Sequence, residues 1–304
     1  MKLKTSLFLF LLSSCSIIFS NFIFAQNYSR TDTIPVKVNG NWLKMPWVGG
    51  HNFCQLSELD INMDGIKDLF LFDRTGIKIT CYINKGTPNT VDYLDSTLKY
   101  KSGFPHLEEW ALARDYNCDG KADIFTYGYG GISVWRNVST GNTLQFILQT
   151  SGIKSNYCPA ILNLAVTGVD IPTIDDIDGD GDLDILTYDA GGINMQYHVN
   201  KSKELGYGCD SLIFNLDCTA CWGNFRASVN GCNMVFGSCR IMNPDSSGSK
   251  SKKEERHAGN CSMCLDTDGD GDKEILLGQL GCCNMVLLTN GGSSASANMT
   301  AMDD

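Results

Sequence analysis

Short apolar runs of three to six residues recur along the chain, punctuated by Gly, Asn and Asp, and four groups of them share one order. Each group opens with a short apolar segment: 53–56, 110–113, 171–174 and 262–265. An acidic stretch follows, and directly after it a run rich in Ile, Leu, Phe and Tyr: 69–72, 124–127, 185–188 and 275–277. A turn bearing Gly76, Gly131, Gly192 or Gly281 leads into a second run: 77–82, 132–135, 193–197 and 284–288. Each second run is closed by an asparagine: Asn84, Asn137, Asn200 and Asn290. Runs this short, enriched in β-branched and aromatic residues and bounded by turn formers, predict strands and hairpins. No amphipathic helical stretch of useful length competes, so the pattern predicts an all-β chain.

The acidic stretch has nine positions. Its copies read Asp60-Ile-Asn62-Met-Asp64-Gly65-Ile66-Lys-Asp68, Asp115-Tyr-Asn117-Cys-Asp119-Gly120-Lys121-Ala-Asp123, Asp176-Ile-Asp178-Gly-Asp180-Gly181-Asp182-Leu-Asp184 and Asp266-Thr-Asp268-Gly-Asp270-Gly271-Asp272-Lys-Glu274. Oxygen side chains fall at positions 1, 3, 5 and 9, with Gly at 6 where the chain must turn sharply. This is the donor pattern for a hard, oxygen-seeking cation, and Ca²⁺ suits a flexible all-oxygen loop better than Mg²⁺. Position 7 (Ile66, Lys121, Asp182, Asp272) is expected to offer its backbone carbonyl. An EF-hand starts the same way but needs a bidentate Glu at position 12. Leu71, Thr126, Thr187 and Leu277 stand there instead. Without an ion, three or four neighbouring carboxylates would repel one another. From first Asp to closing Asn the four copies measure 24, 22, 24 and 24 residues, which identifies a true repeat.

The loop, the strand after it and the Gly-turn-strand-Asn tail resemble the FG-GAP/VCBS repeats of integrin-type β-propellers and of secreted bacterial repeat proteins. The likeness covers about 53–292. The Phe-Gly-Gly-Ala-Pro signature of that family is absent, its nearest counterpart being Tyr127-Gly128-Tyr129-Gly130-Gly131. The resemblance implies a β-propeller of four-stranded blades, usually seven to a ring. The four repeats evident here either close a four-bladed ring or belong to a larger one. It also implies calcium loops at the blade rim, up to four Ca²⁺, and ligand binding elsewhere on a face.

Loop starts lie 55, 61 and 90 residues apart, so the third interval carries an insertion of about 30 residues with five cysteines. The expected organisation is a signal peptide over 1–25 and a repeat domain over 26–304. Its repeats are 48–105, 106–165, 166–255 with the Cys-rich insertion, and 256–304. Lys2, Lys4 and the apolar segments that follow read as a secretory leader cleaved near Ala25. An uncleaved membrane anchor, or lipoprotein processing at Cys15, is the alternative. No later stretch approaches the ~20 apolar residues that span a bilayer. Residues 26–41 offer one short alternation, at 34–38. Residues 42–50 read as a packed loop, 245–255 as an exposed polar loop, and 291–304 as a tail without strand pattern.

Composition sharpens this. After cleavage the formal charge is −12, and fourteen of the 34 acidic residues sit at loop positions 1, 3, 5 and 9. With no basic face to neutralise phosphates, nucleic acid is not an expected partner. Thirteen cysteines remain after cleavage, an odd number, and an exported chain makes disulfides the expectation. Cys218-x-x-Cys221 and Cys261-x-x-Cys264 offer a zinc alternative. Cys282 and Cys283, on opposite faces of a strand, are expected to take different partners. His51, His106, His198 and His257 fit no metalloenzyme spacing, and no nucleophile elbow or phosphate loop is present. Trp42, Trp47, Trp110, Trp135 and Trp222 are assigned to packing ahead of a sugar-binding face. The expectation is a non-enzymatic, secreted or cell-surface binding or adhesion module for a protein or glycan. The alternatives are a polysaccharide-active extracellular enzyme and a structural segment of a larger surface protein.

Overall fold

The computed structural model describes residues 34–228, 232–237, 239, 259–280 and 282–304. The leader segment, Cys15, His257 and the polar loop at 245–255 lie outside the described residues. The chain divides into two compact units, 1–48 and 49–304. In the first, Lys37–Val38 pairs with Asn41–Trp42 across a turn of Asn39 and Gly40, both at positive φ. The expectation of packed tryptophans fails here. Trp42 is 61 % exposed under the Lys37 ammonium, and Trp47 is 47 % exposed.

The second unit is a four-bladed β-propeller of small antiparallel sheets. The first blade runs Cys54–Leu59, Asp68–Asp73, Lys78–Asn84 and Tyr93–Asp95; the second Ala111–Arg114, Asp123–Gly128, Gly131–Asn137 and Phe146–Thr150. The third runs Thr173–Asp175, Asp184–Tyr188, Met195–Asn200 and Phe214–Leu216; the fourth Asn260–Leu265, Glu274–Gln279, Val286–Asn290 and Met299–Asp303. Strand alternation sorts each sheet into two faces. In Cys54–Leu59, Gln55, Ser57 and Leu59 turn inward while Leu56 and Glu58 face out.

Among the described residues, neighbouring blades share three apolar cores. Leu59, Phe70, Phe72, Ile124 and Phe146 fill the first seam, where the Phe104 ring stacks at 4.9 Å on Phe70 and 5.4 Å on Phe146. Trp110, Phe125, Val134, Ile174 and Ile185 fill the second, and Leu186, Phe225, Ile275, Leu277 and Leu288 the third. Each fully buried side chain of this size contributes about 1.5–3 kcal/mol. Side chains also stitch the inner strands together. Ser57 Oγ accepts from Ala113 N–H at 3.0 Å, Arg114 Nε donates to the Ile174 carbonyl at 2.9 Å, and Thr173 Oγ1 donates to Ser262 Oγ at 2.8 Å.

Three features depart from the sequence pattern. The tail at 291–304 is not strandless: Met299–Asp303 is the fourth blade's outer strand, with Met299 buried. An outer strand needs few apolar residues, and its partner Val286–Asn290 decides its conformation. The Cys-rich insertion, for which the sequence predicts no element, contributes to the core. Its hairpin Phe225–Ala227/Met234–Phe236 sends Phe225, Ala227 and Met234 into the third seam, beside Trp222. Lastly, the hairpin Lys154–Asn156/Ile161–Asn163, within the second repeat's span, pairs parallel to Phe214–Leu216 and widens the third sheet to six strands.

Disulfides join Cys118 to Cys209, Cys158 to Cys218, Cys221 to Cys239 and Cys232 to Cys282. The zinc alternative is thereby overturned, since Cys218 and Cys221 are bonded elsewhere while Cys261 and Cys264 stay free. Cys54, Cys81 and Cys283 are also free. Four disulfides belong to an oxidising compartment. Among the described residues no helix is long and apolar enough to cross a membrane.

Candidate metal centre

Each acidic loop joins the first and second strands of its blade, and one hydrogen-bond scheme shapes all four. The position-6 glycine N–H donates to the position-1 carboxylate, from Gly65 to Asp60 at 2.9 Å, Gly120 to Asp115 at 2.8 Å, and Gly181 to Asp176 and Gly271 to Asp266 at 3.2 Å. Position 5 donates its N–H to position 3: Asp64 to Asn62, Asp119 to Asn117, Asp180 to Asp178, Asp270 to Asp268. Position 7 in turn donates to position 5, as Ile66, Lys121, Asp182 and Asp272 each do at 2.8–3.0 Å. The position-6 glycines have φ between +85° and +91°, where a side chain would be strained.

Position 9 is placed differently. Asp68, Asp123, Asp184 and Glu274 are at most 1 % exposed. One carboxylate oxygen of each accepts the N–H of position 2, from Ile61, Tyr116, Ile177 and Thr267. The other accepts the backbone N–H of the closing asparagine: Asn84, Asn137, Asn200 and Asn290. The side-chain amides of Asn84, Asn137 and Asn200 return a bond to the position-8 carbonyls of Lys67, Ala122 and Leu183. This explains the repeat length. The residue after position 9 pairs with Tyr82, Trp135, His198 or Leu288, two residues before that asparagine. The second copy is two residues shorter because Tyr129 and Gly130 alone turn its hairpin between Gly128 and Gly131, whereas the first blade uses four residues between Asp73 and Lys78.

The carboxylates converge. Oxygens of Asp176, Asp178 and Asp180 lie within 4.8 Å of one another, as do those of Asp266, Asp268 and Glu274, and of Asp180, Asp182 and Glu204. In the first two loops Asn62 and Asn117 instead donate to Asp64 and Asp119. At about 4 Å two such charges repel by about 4 kcal/mol near a protein surface. Burial pushes Asp123 and Asp184 up to about 7 and Asp182 to about 6, with neighbouring carboxylates adding to the rise and backbone N–H donors opposing it. Burial likewise raises Asp68, Asp178 and Asp272.

The donor set fits a hard divalent cation. At position 7, Asp182 Oδ2 accepts the Lys203 N–H at 3.0 Å, while Asp182 Oδ1 and its counterpart Asp272 Oδ1 are buried without a hydrogen-bond partner. Buried carboxylate oxygens left bare beside two or three further carboxylates match the demand of an oxygen-coordinated ion. Sequence reading gave position 7 only a carbonyl; the Asp in the third and fourth copies was the available signal for more.

The antiparallel order puts successive turns at opposite ends of each blade. Cys118, in the second loop, is bonded to Cys209, whose sulfur lies 3.3 Å from the Gly181 carbonyl of the third loop. At the other end the second-to-third-strand turns of neighbouring blades enclose two cavities. One, of about 760 Å³, is lined by Tyr127, Tyr157, Asn163, Asp189 and Gln196. The other, of about 740 Å³, is lined by Phe53, Cys54, Arg74, Gln279 and Cys283.

Fold and loops together define a four-bladed β-propeller with one acidic-loop end and one cavity end. No protein-family model and no curated protein matches the chain. A solved structure of an Agrocybe aegerita lectin, titled for its specific recognition of non-reducing terminal N-acetylglucosamine, is similar at 14 % identity and a TM-score of 0.34, over 83 % of this chain and 79 % of that one. A likeness at that level assigns no ligand.

Proposed function

We propose that this chain is an exported, calcium-pinned β-propeller of the FG-GAP/VCBS type that binds a protein or glycan ligand and carries no enzymatic activity of its own. The observation that supports it most is the pair of buried, unpartnered carboxylate oxygens on Asp182 and Asp272 within converging acidic loops. Calcium at each loop offsets the carboxylate repulsion and fixes the first-to-second-strand turn. Ligand binding belongs at the opposite end. There the cavity lined by Tyr127, Tyr157, Asn163 and Gln196 offers aromatic faces and amide groups together.

Extracellular calcium modules have Kd of roughly 10⁻⁴–10⁻³ M. At ~10 Kd each occupied site adds about 1.4 kcal/mol. Differential scanning calorimetry of the exported protein with calcium and with a chelator therefore tests the first half of the proposal. A clear fall in Tm on chelation is expected, and superimposable curves would overturn calcium pinning. A glycan and matrix-protein array, run in both conditions, tests the second half. Binding that is lost in Tyr157→Ala is expected; an empty array with calcium-loaded protein would sink the binding-module reading.

A further inference from the structure

At the cavity end, three side chains the acidic loops do not use come together in the first blade. Cys54 opens the innermost strand, and Asp73, at the end of the second strand, is its cross-strand partner. The segment before Cys54 folds back, bringing His51 to the same spot. The ligand atoms of His51, Cys54 and Asp73 all lie within 4.8 Å of one another.

The surroundings orient each donor. His51 Nε2 lies 2.8 Å from Tyr82 Oη, while its Nδ1 is buried with no hydrogen-bond partner. With Nε2–H donating to the phenol, the Nδ1 lone pair is bare. Histidines that ligate metals are held this way, the second ring nitrogen donating to an oxygen. Asp73 is 1 % exposed and is fixed by three backbone N–H groups, Phe53 and Thr75 to Oδ1 and Asn52 to Oδ2. Two bonds occupy Oδ1, but Oδ2 keeps one lone pair. Cys54 is a free, half-buried thiol beside the Asp73 carboxylate.

We propose that His51, Cys54 and Asp73 form a site for a divalent transition metal of the Zn²⁺ class, separate from the acidic loops. One nitrogen, one sulfur and one oxygen suit a borderline-soft cation and not Ca²⁺. A tetrahedral zinc with bonds of about 2.0–2.3 Å holds its donors roughly 3.5 Å apart, and the three donors already lie within 4.8 Å of one another. On binding, the Cys54 thiol proton is released to solvent. Thiolate and carboxylate then balance the two charges of the ion, and His51 stays neutral. Cys54 lines the 740 Å³ cavity, from which water or a small ligand would supply the fourth donor.

The test is a Co²⁺ titration of the whole exported protein under a non-thiol reductant, with excess Ca²⁺ keeping the acidic loops occupied. A thiolate-to-cobalt charge-transfer band saturating at one equivalent and abolished by Zn²⁺ is expected. The band is lost in Cys54→Ser, weakened at least tenfold in affinity in His51→Gln, and kept in Cys261→Ser and Cys283→Ser. Tyr82→Phe should weaken binding by about 10-fold or more. Should Cys54→Ser fail to fold, alkylation of wild-type Cys54 read by peptide mass spectrometry replaces it, with Zn²⁺ expected to protect that cysteine. No band, a band that survives Cys54→Ser, or unprotected Cys54 would each overturn the proposal.

Discussion

The bond between loop and closing asparagine predicts a stability loss graded by burial. In the second blade, Asn137 is 3 % exposed. Its amide donates to the Ala122 carbonyl at 3.0 Å, and its Oδ1 accepts from Ser139 N–H at 3.0 Å. Asn137→Ala removes both bonds and strands a carbonyl and an N–H that water does not reach, since Ala122 and Ser139 are themselves buried. A buried group left unsatisfied costs about 1–3 kcal/mol, so the pair should cost about 2–4 kcal/mol after some relaxation. Asn84→Ala is the internal control. It removes the equivalent bonds to the Lys67 carbonyl and Gly86 N–H, at 3.2 and 3.0 Å, but both are exposed. Water replaces them, and about 0.5–1 kcal/mol is expected. The assay is urea unfolding in saturating calcium, with Tm as a cross-check; at about 2–4 °C per kcal/mol, Asn137→Ala should lower Tm by roughly 5–15 °C. Equal losses for the two variants, or a loss below about 1 kcal/mol for Asn137→Ala, would refute the claim that burial sets the cost.

Asp182→Asn should weaken calcium binding at the third loop while changing chelated-state stability little, because it neutralises the bare inward oxygen but keeps an acceptor for Lys203 N–H; isothermal calorimetry checks this. Cys118→Ser with Cys209→Ser opens a disulfide spanning 91 residues. Stability measured by denaturant should fall by about 2–4 kcal/mol. His198 is fully buried against Ser155 Oγ at 2.8 Å, and burial lowers its pKa to about 3. The folded value lies below the unfolded one, so its contribution is complete above about pH 6.5 and is lost as pH falls towards about 3, at up to roughly 1.4 kcal/mol per pH unit. An NMR titration in saturating calcium should show its ring signals unmoved from about pH 8 to about pH 5; a midpoint near 6.5 would contradict the burial argument.

The repeat was legible because its determinants are local. A nine-residue loop that must present oxygens and turn at Gly, followed by two short strands, writes its requirements into adjacent positions. Even the loop-to-asparagine tie left a trace, in the recurring distance from Asp60 to Asn84 and its later counterparts. What stayed hidden depends on partners far apart in the chain. Met299–Asp303 is a strand because Val286–Asn290 lies beside it, not because of its own composition. Phe225 and Met234 lie in a Cys-rich insertion, and only the third seam reveals them as core. Cys218 and Cys221 sit in a zinc-like spacing yet bond to Cys158 and Cys239. The His51, Cys54 and Asp73 group was invisible for the same reason, since strand register alone brings Asp73 to Cys54.

The loop positions divide the work of the loop in two. Positions 1, 3 and 5 are half-buried or exposed, and their backbone bonds hold the turn with their remaining lone pairs free to meet an ion. Position 9 is buried and already holds N–H groups from both the loop and the third strand of the blade. A charge at positions 1, 3 or 5 therefore matters chiefly when the cation is present. The charge at position 9 matters in either state, because removing it frees donors in the loop and in the third strand at once. Within the proposed calcium site, ion-dependent and ion-independent roles thus fall on different side chains of one loop. Asp64 acts chiefly through the proposed ion, whereas Asp68, four residues on in the same loop, supports the sheet whether or not an ion is bound.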